Sequence, residues 1–144
     1  MNNSPKYWIK AEHHNNGLIA YNYSWISDVL MVKDTGEYSI VVTGSAKIKT
    51  YKGKLSSQRL KKLQMIADDI ENWDTAISGM TEAVTVMVCD GDSWELIINS
   101  TGKVPVDIHW ATIQNPCPLE DFLAFYKTMK HNAKLVRTEE MASL

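Results

Sequence analysis

Cysteine is scarce in this chain, and its two copies, Cys89 and Cys117, stand far apart in no CxxC or Cys/His cluster. That spacing excludes a cysteine-based zinc site, and the pair reads as two reduced thiols rather than a bridge. Long apolar runs are missing as well, none approaching the roughly 18–20 residues of a membrane-spanning helix. The Met-Asn-Asn-Ser-Pro-Lys start is not followed by an apolar stretch, so no signal peptide is expected and the chain reads as cytoplasmic. The glycosylation-type triplets at Asn22 and Asn99 are then chance matches. Overall basicity is absent: a net charge of −2 and a pI of about 6.1 exclude a wholly basic, histone-like binder.

Catalytic and cofactor motifs are equally sparse. There is no phosphate-cradling GxxxxGK loop, no GxGxxG, no GxSxG elbow and no HExxH. The Asp90-Gly91-Asp92 loop lacks the other ligands and closing glutamate of a calcium loop, so a hairpin turn explains it. Neither cysteine has a basic neighbour that would activate it. No cofactor is expected, and neither catalytic nor metal residues are assigned.

What is present is the pattern of one globular domain spanning residues 1–144, with 44% hydrophobic and 22% charged residues. A chain of this length buries a core without a staple. Residues 1–5 and about 134–144 have little to anchor them and are expected to be flexible. Period-two alternation predicts strands over residues 7–12, 18–25, 29–33, 38–43, 47–51, 83–89, 94–99 and 104–110. Turns are expected at residues 13–17, at Asp34-Thr35-Gly36-Glu37, at Gly44-Ser45, at Lys52-Gly53-Lys54 and at residues 90–93. Residues 29–32 and 40–42 are apolar at consecutive positions, which predicts cover on both faces. The strands at residues 47–51 and 104–110 are expected at sheet edges, the first because it is polar, the second because of Pro105.

Three- and four-residue spacing of Leu60, Leu63, Ile66, Ala67, Ile70 and Trp73 predicts a helix over residues 57–73, capped by Ser56. Leu119, Phe122, Leu123, Tyr126 and Met129 predict a second over residues 118–131, with Pro118 at its first position. The fold class is therefore α+β: a single domain with mostly antiparallel sheet(s) of about seven to eight strands and two helices packed on the sheet. The element order from Tyr38 onward resembles that of small protease-inhibitor and lipoprotein-associated domains in architecture alone.

Charge supplies the clearest anomaly. Lys47, Lys49, Lys52, Lys54, Arg59, Lys61 and Lys62 occur with no acidic residue among them, leaving eight basic against seventeen acidic residues elsewhere. The first helix thus begins basic and continues into Asp68, Asp69 and Glu71, against the helix dipole, whereas the second obeys it. A local rule broken in this way marks a candidate surface for phosphate or an acidic protein. A second candidate is the aromatic strip Trp8, Tyr21, Tyr23 and Trp25, either core or recognition surface. His109 with Asp107 two residues before it is a third candidate, as a general base and its orienting partner. A metal site assembled from His13 or His14, His109 and an aspartate has no supporting spacing.

These features predict a small cytosolic protein-binding module of inhibitor, immunity or host-interaction type, its partner another protein with an acidic surface. The alternative is nucleic-acid or phosphate-ligand binding through residues 47–62, and a distant third is a metal-independent enzyme. No membrane partner is expected, and edge-strand pairing would allow a homodimer.

Overall fold

Ile9 and Ala11 alternate with Lys10 and Glu12 along the strand β1 (Ile9–Asn15), and the two apolar side chains are fully buried. In the computed structural model this strand sits near the middle of a seven-stranded antiparallel sheet. Described are residues 7–15, 26–44, 46–87, 92–100, 105–111 and 119–140, with only the backbone described at 73–87, 92 and 111.

The other strands are β2 (Ser27–Val32), β3 (Glu37–Thr43), β4 (Lys47–Lys54), β5 (Asp92–Ile98), β6 (Val106–Ala111) and β7 (Lys134–Glu140). The helices are α1 (Ser57–Met87) and α2 (Leu119–Asn132). The spatial order is β6-β5-β1-β2-β3-β4-β7, with every neighbouring pair antiparallel. Strands β1 to β4 form a meander, and the β5–β6 hairpin docks on the other edge of β1. The chain must cross the sheet twice, from β4 to β5 and from β6 to β7. Each crossing needs a long connection, and α1 and α2 supply them.

Both helices pack on one face. That helix face carries Ile9, Ala11, Leu30, Val32, Tyr38, Ile40, Trp94, Leu96, Ile98, Val106, Ile108 and Trp110. Leu63, Ile66, Ala67 and Ile70 of α1 and Leu119, Phe122, Phe125, Tyr126 and Met129 of α2 close over them. Trp94 anchors the aromatic part, stacked on Trp110 at 6.1 Å and meeting the Tyr126 ring edge-on at 5.2 Å. Full burial of each such side chain stabilises the fold by about 1.5–3 kcal/mol.

The α+β architecture and the two helices stand as the sequence predicts, as do the Asp34–Glu37 turn, where Gly36 takes φ +94°, and the Ser56 cap. The helix-face alternations of β5 and β6 also hold, and β6 lies at an edge.

Elsewhere the structure corrects the sequence reading. Residues 13–15 continue β1 instead of turning, because β2 begins at Ser27 and extends the ladder, Asn15 N donating to Ile26 O. Lys52-Gly53-Lys54 continues β4 rather than turning, since Gly53 lies opposite Tyr38 and its missing side chain leaves room for that ring. The strand at residues 47–51 is not an edge, because the segment expected to lack an anchor forms β7 along it. Residues 29–32 and 40–42 bury only alternate side chains; Val29, Met31 and Val41 are half-buried on the second face.

The expected strand at residues 83–89 is helical through residue 87, so α1 runs beyond residue 73 and past Ser78-Gly79. Its place beside β5 is taken by β1 and β6, which satisfy both edges of that strand. The strand–strand–helix–hairpin–helix order from Tyr38 onward still stands, with β5 and β6 as its hairpin. The expected strand at 18–25, the Asn16-Gly17 turn and Pro118 lie outside the described residues. No helix among the described residues is long and apolar enough to cross a membrane.

Candidate functional site

Antiparallel register decides which polar side chains meet on the second face. Trp94 pairs with Trp110 on the helix face, so Glu95 must stand opposite His109 on the other. Asp107, two residues before His109, shares that face, and Glu12 on β1 stands opposite Glu95. His14 and Lys10 flank Glu12 at two-residue spacing. Three adjacent strands therefore deliver Lys10, Glu12, His14, Glu95, Asp107 and His109 to one surface.

Their contacts divide this surface in two. Glu12 accepts from Lys10 Nζ at 3.0 Å on one oxygen and pairs with His14 Nε2 at 2.7 Å on the other. Burial alone would raise the Glu12 carboxyl, but these two hydrogen bonds hold it below the usual value. The same bond to Glu12 raises Lys10. In the second part His109 Nε2 lies 3.3 Å from Glu95 Oε2 and 3.2 Å from Asp107 Oδ1. The Glu95 carboxyl is pushed up, first by burial and further by the nearby Asp107 carboxylate, while His109 acts the other way. His109 is 56% exposed, so this pairing is open to water.

The basic residues are distributed rather than gathered. Alternation along β4 puts Lys47 and Lys49 on the helix face and Lys52 and Lys54 on the second face. Lys61 and Lys62 are exposed on α1, while half-buried Arg59 turns to α2, its guanidinium 5.1 Å from the centre of the Phe125 ring. Strand β7 changes the local balance, placing Glu140 opposite Lys47 and Lys134 opposite Lys52. Of the aromatic strip, half-buried Trp8 packs against the core; Tyr21, Tyr23 and Trp25 lie outside the described residues.

No family model, curated protein or solved structure matches this chain.

His109 and Asp107 come together as the sequence suggests, whereas His13 turns to the helix face and stacks on Trp94 at 4.3 Å. Glu95 and Glu12 are missing from the sequence reading. Only the β5–β6 register exposes the role of Glu95, because it sets Glu95 opposite His109.

Strand β7 is a further surface feature. All seven of its residues are exposed, and Leu135 and Val136 are 51% and 55% exposed. It pairs with β4 alone, so its outer edge is unpaired among the described residues.

Proposed function

We propose that this chain is a small protein-binding module that receives a partner along β7 and the adjoining basic residues of β4 and α1. The observation that carries the proposal is the exposure of β7. A seven-residue strand with two exposed aliphatic side chains and an outer row of backbone groups unpaired among the described residues is a template for an added strand. Lys52, Lys54, Lys61, Lys62 and Lys134 suit a partner with an acidic surface, acting by complementarity in the manner of an inhibitor, immunity or host-interaction protein.

The test is capture by the full chain with and without nuclease, beside a Leu135→Ser/Val136→Ser variant whose changes lie on exposed positions. Expected is a protein partner that survives nuclease and is lost with the double variant. Capture that disappears with nuclease and weakens steeply with salt would instead favour nucleic-acid or phosphate binding. That second reading has its own support in Lys134, which stands opposite Lys52 and adds a cation to the second face.

A further inference from the structure

We propose that Glu95, Asp107 and His109 form a binding site for a first-row divalent transition-metal cation on the second face of the sheet. The site is independent of the partner surface at β7, which lies at the opposite edge.

Three donors of two chemical kinds, one imidazole nitrogen and two carboxylate oxygens, lie within 4.8 Å of one another. The two nitrogen–oxygen separations are 3.3 and 3.2 Å. Ligands held about 2.0–2.2 Å from a cation stand about 2.8–3.1 Å apart on an octahedral edge and about 3.3–3.6 Å apart on a tetrahedral one. The two nitrogen–oxygen spacings fall between these values, so His109 already stands at ligand distance from each carboxylate. A proton on Nε2 can point well at only one of the two carboxylates, whereas a cation between all three satisfies both oxygens and the nitrogen lone pair.

The backbone supplies the rigidity. Glu95 and His109 are directly paired residues of adjacent strands, and Asp107 shares their face at two-residue spacing. The outward side is open to solvent, leaving room for water at the remaining coordination positions. On the neighbouring strand, the ammonium of Lys10 is engaged by Glu12. An imidazole beside two carboxylates favours zinc, cobalt, nickel or manganese over calcium or magnesium, which take oxygen ligands.

The experiment uses the full chain stripped of metal with a chelator. Cobalt(II) is titrated by visible absorption and zinc by calorimetry, with calcium as the comparison. Expected is saturable binding of a single ion, weakened at least 10-fold in both His109→Ala and the near-isosteric Glu95→Gln. Circular dichroism of the variants should match the parent, and nitrogen-15 spectra should show His109 Nε2 moving when zinc is added. Binding should be unchanged in His131→Ala, on the distant α2. No cobalt or zinc uptake at millimolar metal, uptake equal for calcium, or uptake that survives in Glu95→Gln and His109→Ala would each overturn the proposal.

Discussion

Asp28 is 3% exposed, the one buried charged residue among those described. Its carboxylate accepts from Tyr126 Oη at 3.0 Å and from Lys130 Nζ at 2.8 Å, tying β2 to α2. Removing one partner leaves a buried charge undersatisfied, so Tyr126→Phe should cost about 1–3 kcal/mol in denaturant unfolding. The Tyr126 hydroxyl is held protonated well above its ordinary range, first by burial and then by Asp28. The folded chain therefore keeps a proton that the unfolded chain releases near pH 10. Stability should be intact below that value and fall as pH rises past it, with a shallower fall in Tyr126→Phe. Gly53 sets a second residue-scale constraint: a methyl there would collide with the Tyr38 ring, whose hydroxyl donates to Met129 O at 2.8 Å. Gly53→Ala should lose about 1–3 kcal/mol through overpacking, read from the urea midpoint.

Among the elements, β6 shows what sequence can carry. Val106, Ile108 and Trp110 alternate with Asp107 and His109, and the structure buries the first set and exposes the second. Local pattern suffices there because each side chain's fate depends on its own strand. It fails for residues 83–87, where valines at two-residue spacing suit a strand although the backbone is helical. No local signal says that β5 already has two neighbours. Glu95 was hidden for the same reason, since its meeting with His109 depends on strand order. The basic stretch was legible as composition, but its division between two faces follows from Gly53 lying within a strand. Strand β7 differs from β1, β2, β3 and β4 in having every residue exposed. Its amides bonded to β4 should exchange with deuterium much faster than those of β1, as read by residue-resolved exchange. Equal protection would show that β7 belongs to the same cooperative unit.

The whole molecule is arranged about β1, which pairs with β2 early in the sequence and with β5 some eighty residues later. Closing that second ladder carries a chain-entropy cost before any contact rewards it. Refolding after denaturant dilution is therefore expected on the millisecond-to-second scale, not in microseconds. Replacing Leu96 with Ala should lower stability by about 2–5 kcal/mol, since its fully buried side chain fills the joint between the meander and the β5–β6 hairpin.

The same joint matters while the chain is being made. Synthesis proceeds at about 5–20 residues per second, so β1 and β2 leave the ribosome several seconds before Asp92–Ile98 can follow. During that interval the nascent meander carries Ile9 and Ala11 on an open edge, without the hairpin that later shields it. A transcript broken before the codon for Asp92 would yield a fragment locked in that state, a natural client for chaperones and for quality-control proteolysis.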